Sequence, residues 1–489
     1  MLNKWKQTIS KFVCFVLTCQ LFILTTWAKP DWPSDTGIMA EAGIVMDMDS
    51  GAILYGQNIH LTYPPASITK ILTALIVLEN CNLDDTVTFS TTAVNQVEAD
   101  SGNKISVVAG DQLSVEDCLY SMLLVSCNQA ANALAEHTAG SISAFVDMMN
   151  EKLAQLGCQE SHFENPSGLN GDNQYVSAYD MALIAQAAYD NETLVEISSA
   201  TTHKIAPTTQ NPDGFTIRGE HRLCVTEDPG SPYYYPEAVA GKTGYLIKAG
   251  NTLVTYAVKD NRRLISVILK GQPRQYFVDG KALLEFGFRS FQDYTVADYE
   301  SRYVTGNETI NLDKGSFQAS DLMIDPDSVI TLPNSASFED ADITLGALPE
   351  ISPDNAVALL TYSYNDRTIG TAYLLAKDGV TIDGNDSAAE AATTAFDTAN
   401  AEAPLATASN AEKPQRPHKH ISVAGVLITI LIVLLVLGVI GLISWFIYSK
   451  KKEAKALAKR RERRRQRLQR SGDEEEFERL LAEYKNKKK

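Results

Sequence analysis

The sequence is short of the patterns that usually announce a functional site. It has no Cys-x-x-Cys and no Gly-x-Ser-x-Gly, so a paired-thiol centre and the serine elbow of hydrolases that use a histidine base both lose their usual signature. Its 7 histidines offer no suitable base. His418 and His420 stand before a long apolar run, and His137 falls on a helix face. Of the 7 cysteines, Cys14 and Cys19 lie in an apolar leader. Cys81, Cys118, Cys127, Cys158 and Cys224 remain, an odd number without paired spacing. Neither a disulfide framework nor a zinc site follows from them, and they read as small buried apolar residues. No cofactor or metal is implied. No internal repeat is present. An excess of basic residues is also missing, since the formal charge is −17. That balance argues against a nucleic-acid partner.

Two segments stand apart from any folded core. Residues 1–28 combine Lys4, Lys6 and Lys11 with an apolar run from Phe12 to Trp27, and Thr26-Trp27-Ala28 ends on a small residue. This is the pattern of a cleaved secretory signal. Ile421 to Tyr448 is a run of 28 residues without a charge, longer than the roughly 20 needed to cross a bilayer. Trp445 and Tyr448 lie where an interfacial belt belongs, and Lys450-Lys451-Lys452 follows at once. Residues 449–489 form a basic tail, with 17 Lys/Arg against 8 Asp/Glu from 450 on. Basic flanks stay in the cytoplasm, so the expected topology is single-pass, with the acidic bulk outside the cell membrane. The span and tail would meet membrane lipids.

Between these ends the pattern changes several times. Gly43 to Tyr55 alternates about an Asp-Ser-Gly turn, which predicts a β-hairpin. Pro64-Pro65 opens a helix expected to run to Glu79 with Ser67 in its first turn. Segments 113–138, 143–156 and 177–190 have helical periodicity and suggest an all-helical insertion. Strands are expected at Thr252–Val258 and Arg263–Lys270, then an amphipathic helix at Ala282–Phe288. These elements fit one α/β layered unit with a helical subdomain, placed at residues 38–292. From 293 to 384 short alternating runs at Ser328–Leu332, Ala341–Leu345, Ala356–Tyr364 and Thr368–Leu375 predict a small all-β domain. Residues 385–420, rich in Ala, Thr, Asn and Asp and then Pro, read as a linker reaching on the order of 30–35 Å.

Three short motifs carry chemistry in a fixed order: Ser67-Ile68-Thr69-Lys70, Ser126-Cys127-Asn128 and Lys242-Thr243-Gly244. Each alone is weak. Ser-x-x-Lys recurs at Ser101–Lys104 and Ser449–Lys452, and Ser101-Gly102-Asn103 reads as a surface turn. The ordered set is informative. A serine hydroxyl needs a base to take its proton. The i, i+3 spacing puts Lys70 beside Ser67. Lys70 acts as a base only when neutral, and burial plus a nearby cation such as Lys242 would favour that form. Ser126 can pass a proton to a leaving amine, and Asn128 can both donate to and accept from a peptide amide. Lys242 and the Thr243 hydroxyl suit a substrate carboxylate. Gly244 admits the substrate backbone. The backbone N–H groups of Ser67 and Tyr245 are candidates for an oxyanion hole.

With these motifs in place, the chain resembles the low-molecular-weight penicillin-binding proteins, the serine-type D-alanyl-D-alanine carboxypeptidases. The likeness spans roughly 38–290. It includes Gly110 to Asp117 leading into Leu124 to Ala131, then Asn165-Pro166-Ser167-Gly168-Leu169 with Tyr175 to Met181, and Ala240 to Tyr245 with Ala249 to Val254. The resemblance implies a serine β-lactamase/penicillin-binding-protein-like transpeptidase fold: an α/β unit of antiparallel sheet with helices and a helical subdomain, then the small all-β domain; many relatives are held at the membrane by a C-terminal amphipathic helix, whereas this chain is expected to have one transmembrane helix at Ile421 to Tyr448. It implies that Ser67 is the acylated nucleophile and Lys70 its base. Ser126 and Asn128 would assist proton transfer and placement, and Lys242 and Thr243 would bind the terminal carboxylate. Arg274 is a further candidate for that carboxylate. Peptidoglycan stem peptides are the implied substrates, and β-lactams the inhibitors. Two departures bear on specificity. Cys127 occupies the middle of its motif where Gly, Ala or Ser is more usual, and Gln174 stands where His is frequent. A class A-like β-lactamase shares the trio but needs a water-activating Glu. Glu164 is nearby, though Asn165-Pro166-Ser167-Gly168-Leu169 does not match that loop. A penicillin-binding sensor signalling to the tail is the second alternative.

Overall fold

The computed structural model describes residues 29–98, 102, 104–349 and 351–382. The leader, the linker, the apolar run at 421–448 and the basic tail lie outside the described residues, as do Ser101 and Asn103 of the second Ser-x-x-Lys. Among the described residues no helix is long and apolar enough to cross a membrane.

The organising element is a five-stranded antiparallel sheet built from both ends of the 38–292 segment. Its strands run in the order Ile53–Gln57, Ala42–Asp47, Arg262–Gly271, Gly250–Lys259, Ala238–Leu246. The early hairpin thus joins the late strands, with Ile44 opposite Val267. The connection Lys259 to Arg262 turns through Asp260 and Asn261, both at positive φ, as a tight hairpin of right-twisted strands requires.

Alternation along these strands feeds two cores. Ile44, Met46, Ile265, Val267 and Leu269 face one layer. Val45, Leu253, Leu264 and Ile268 face the other. Helix Ala178–Tyr189 covers the first face with helix Lys70–Asn80 packed against it, and Gln275–Ser290 covers the second. An antiparallel sheet buried on both faces reads as near-continuous apolar sequence, and Ala42–Asp47 is buried at every position.

The expected helices are present with altered ends. Residues 113–138 divide into a short strand Gln112–Ser114 and helices Val115–Leu124 and Asn128–Ala139. Helix Ile142–Gln155 follows, and the final helix is longer than expected, at Gln275–Ser290. Ser114, Ser141 and Ser177 each accept a hydrogen bond from the backbone N–H three residues on, fixing three helix starts. The middle segment is not all-helical. It holds the hairpin Thr202–Ile205/Phe215–Arg218 and the pairs Thr62–Tyr63/Val176–Ser177 and Thr86–Thr88/Gln112–Ser114. These strands have two to four residues, too few to show a period.

Beyond the final helix the chain forms a second set of antiparallel strands. Leu322–Ile324, Arg367–Ala376, Ala356–Tyr364 and Asp342–Gly346 make a four-stranded sheet, and Val329–Pro333 pairs with Phe291–Thr295. Short helical turns at Val296–Tyr299, Ala319–Asp321 and Phe338–Asp340 interrupt the strands. The strand Phe291–Thr295 straddles the boundary expected at 292/293. Arg262 ties the two regions by donating to buried Asp47 at 2.9 Å and to Asp293 at 2.7 Å. Burial, and next the Asp293 charge, push the Asp47 carboxyl up to about 6, and Arg262 opposes them. Trp32 lies in the same seam, donating to the Leu54 carbonyl at 2.8 Å and packing its ring on Phe291.

Candidate active site

The site assembles where the Pro64-Pro65 turn enters the sheet face. Ser67 lies in a 3-10 turn, Ala66–Thr69, and Lys70 opens the α-helix that runs to Asn80. This corrects the expected α-helical first turn, and it matters. A 3-10 turn has three residues per turn, so side chains at i and i+3 eclipse. Lys70 Nζ donates to Ser67 Oγ at 3.0 Å and to Asn128 Oδ1 at 2.8 Å. It also donates to the Ser167 carbonyl. All three protons of an ammonium are thus placed.

Lys70 is fully buried. Burial first, and then the charge of Lys242, hold its pKa well below the ordinary lysine value. Lys242 is 1% exposed, and burial brings it down to about 8, with Glu220 acting in the opposite direction. The charge of Lys242 disfavours the protonated form of Lys70, while at Lys242 Glu220 favours the charged form and Lys104 opposes it. The neutral amine beside Ser67 is the form a base needs.

The strand Ala238–Leu246 carries the third motif along the edge of the sheet. Lys242 and Gly244 are two apart and share one face. A Cβ on Gly244 would stand 2.8 Å from the Ser67 backbone nitrogen and 2.4 Å from Thr252 Oγ1, so only glycine lets this strand pass so close. Thr252 donates to the Pro65 carbonyl at 2.9 Å, pinning the turn before Ser67 to the sheet. Lys242 Nζ donates to the Thr243 carbonyl at 2.9 Å. Thr243 occupies the alternate position and is half-buried, and Tyr245 is 63% exposed at the strand's end.

Ser126 and Asn128 arise from the break between two helices. Ser126 is half-buried with φ of 61°, a left-handed backbone that is costly outside glycine and frequent at functional sites. Asn128 reaches Lys70, whereas among the described residues the Ser126 hydroxyl bonds neither Ser67 nor Lys70. Cys127 is buried, and burial pushes its thiol up to about 11. It is a neutral packing group, as the sequence reading had it. All five cysteines of the described chain are free.

One further feature carries no sequence signal. The Ser167 carbonyl, an acceptor for Lys70, is a backbone group. Its loop is set by Asn165 Oδ1, which accepts from the Ser167 and Gly168 backbones at 3.2 and 2.8 Å. Gly168 has φ of +80°, and a Cβ there would fall 1.9 Å from the Ala66 carbonyl oxygen. Gln174 braces the loop, accepting from the backbones of Glu164 and Asn165 at 3.0 and 3.1 Å. Glu164 accepts from the Asn173 backbone at 3.0 Å and lies against Gly171. It makes no hydrogen bond to Ser67 or Lys70. Arg274 is exposed at the start of helix Gln275–Ser290, and among the described residues no hydrogen bond or ion pair joins it to the site.

A serine held by a buried lysine, with a buried amide and a second buried lysine in the same site, is an arrangement that can carry out serine acyl transfer with lysine in place of histidine. The sequence profile described as D-alanyl-D-alanine carboxypeptidase matches residues 29–272. A D-alanyl-D-alanine carboxypeptidase of Mycobacterium tuberculosis, DacB2, is 34% identical over 53% of this chain and 84% of its own. DacA of Haemophilus influenzae is 31% identical over 69% of this chain and 84% of its own. Among solved structures, a D-alanyl-D-alanine carboxypeptidase from Mycobacterium tuberculosis matches 53% of this chain and 93% of that chain, with 31% identity and a TM-score of 0.46. The chain belongs to the D-alanyl-D-alanine carboxypeptidase family, and is a serine-type carboxypeptidase.

Proposed function

We propose that the protein removes the terminal D-alanine of peptidoglycan stem pentapeptides through an acyl-enzyme at Ser67. The observation that carries this reading is the set of contacts around Lys70 Nζ, which joins Ser67 Oγ, Asn128 Oδ1 and the Ser167 carbonyl. Neutral Lys70 takes the hydroxyl proton as Oγ attacks the carbonyl of the penultimate D-alanine. The backbone N–H groups of Ser67 and Tyr245 receive the developing oxyanion. Ser126 passes a proton to the departing D-alanine amine, Asn128 holds the preceding amide, and Lys242 with Thr243 binds the terminal carboxylate. Gly244 leaves room for the substrate backbone. Water then hydrolyses the ester. β-Lactams acylate the same serine.

The engagement of Glu164 within its own loop favours this reading over a β-lactamase, which needs a carboxylate at the water that attacks the acyl-enzyme. Mass spectrometry of the products from a stem pentapeptide tests the assignment. Free D-alanine and a tetrapeptide support it, and stable acylation without D-alanine release from any stem peptide supports a sensor instead.

The same proposal includes the chain's setting. Residues 1–28 direct export, 293–384 form a β module, 385–420 a linker, and 421–448 the single membrane span, with the catalytic segment outside and 449–489 inside. The charge asymmetry and the apolar run support this. Protease added to intact protoplasts should leave only a short membrane-bound fragment, and protection of residues 38–384 would overturn it.

A further inference from the structure

His221 is a buried titratable group that the reaction does not use, and it sits directly behind the third motif. It stands just before the short helix Arg222–Val225. Its ring lies against Gly241, where a Cβ would stand 2.7 Å from His221 Nε2. Across the sheet, Gly241 pairs with Thr255 and Lys242 with Val254. Nε2 is 3.1 Å from the Val254 carbonyl and 3.2 Å from Thr255 Oγ1. One ring therefore touches both strands at the point where Lys242 begins the motif.

The partners fix the ring. The Val254 carbonyl can only accept, so Nε2 carries the proton and donates. Nδ1 is then the acceptor, 3.2 Å from Cys224 Sγ, and the thiol donates to it. Burial pushes that thiol up and keeps its proton in place. Burial brings the imidazole down to about 4 against the Val254 bond, with the Lys242 charge adding to the fall. Phe277 of helix Gln275–Ser290 meets the ring edge-on at 5.9 Å.

The strand it touches needs such a support. Ala238–Leu246 is the sheet's edge and pairs with one neighbour only. Its register shifts between Tyr256 and Ala257, just beyond the Gly241–Thr255 pair, and a bulge bends and twists an edge strand. His221 and Thr243 line one cavity of about 10 Å³, no more than a single water needs. The ring and the Thr243 face of the strand are therefore closely packed.

We propose that His221 is a positioning residue for carboxylate recognition: by bonding the Val254 carbonyl and packing on Gly241, it fixes the edge strand so that Lys242 and Thr243 meet the terminal carboxylate together. The proposal rests on the carboxypeptidase reading.

The test uses the full-length protein and two stem pentapeptides, one ending in free D-alanine and one amidated there. Native protein should prefer the free acid. A Gln side chain can place an amide N–H where Nε2 lies, whereas Asn is one methylene too short, so His221→Gln should keep the preference. His221→Asn should lose about tenfold in kcat/KM on the free acid, mostly through KM, because a small misplacement of binding groups is costly. Its rate on the amidated peptide should stay unchanged. Cys224→Ala, which leaves His221 in place and removes only its Nδ1 partner, should cut the preference about threefold, as loss of one hydrogen bond does, and decides the matter if His221→Asn does not fold. Saturating penicillin, mapped to Ser67, identifies the folded variants. An undiminished preference in those variants, or equal losses on both peptides, would overturn the positioning role and leave the carboxypeptidase reading intact. Native protein that cleaves both peptides equally would overturn the assignment of Lys242 and Thr243, and no cleavage of either would overturn the carboxypeptidase reading; the role of His221 falls with each.

Discussion

Lys70 Nζ and Ser67 Oγ are 3.0 Å apart across a single 3-10 turn, and the lysine has no exposure to solvent. Burial and then Lys242 hold its pKa well below the ordinary lysine value, and in the proposed mechanism the rate of Ser67 acylation depends on the neutral amine. Acylation by penicillin should therefore rise with pH through the titration of Lys70, well below the ordinary lysine range. Replacing Lys242 by Gln should move that rise to higher pH by removing the second cation. Stopped-flow acylation between pH 5 and 9 checks this, and an unmoved profile would show that Lys242 does not act on Lys70.

In the proposed mechanism Lys242 sets the opposite limb. It must be cationic to hold a carboxylate, and its pKa is about 8. Carboxypeptidase kcat/KM should fall as pH rises through about 8, mostly through KM. Lys242→Arg stays charged at every accessible pH. That variant should lose rate at neutral pH yet lack the alkaline fall. The same group makes folding stability rise between about 8 and 10.5, because there the unfolded chain binds the proton more tightly.

Gly168 holds the Ser167 carbonyl on Lys70 by occupying a left-handed backbone with no room for a Cβ. Gly168→Ala should cost at least about 1–2 kcal/mol of stability from backbone conformation alone. The clash with the Ala66 carbonyl should displace the Ser67 turn as well. Thermal melts and penicillin acylation rates measure the two effects, and a variant with native acylation would show that the loop does not position Ser67.

Cys127 lies between two site residues, and its thiol is buried and pushed up to about 11. Reactivity follows the thiolate. Iodoacetamide at neutral pH should leave the folded enzyme active and modify Cys127 only after denaturation. Rapid inactivation with the adduct mapped to Cys127 would contradict its packing role.

Much of the site was legible because each motif couples a residue type to a local geometry. Ser67 and Lys70 are joined by spacing alone, and Gly244 by the need for close approach. The strands at Thr252–Val258 and Arg263–Lys270 were visible from alternation and from the turn between them. The pairing of Ala42–Asp47 with Arg262–Gly271 was not, because more than two hundred residues separate the partners and no local pattern encodes which distant strand fills the gap. Ala66 and Ser126 take positive φ although neither residue type signals it, since tertiary contacts impose that conformation. The Ser167 carbonyl is invisible for a simpler reason: every residue has one.

The most direct measurement is a single incubation series with the full-length protein, monitored by mass spectrometry. With a stem pentapeptide it should release D-alanine over many turnovers. With penicillin it should accumulate a long-lived adduct mapped to Ser67, and Ser67→Ala should show neither behaviour. Rapid multiple-turnover hydrolysis of penicillin with no D-alanine release, or adduct formation that survives Ser67→Ala, would contradict the account.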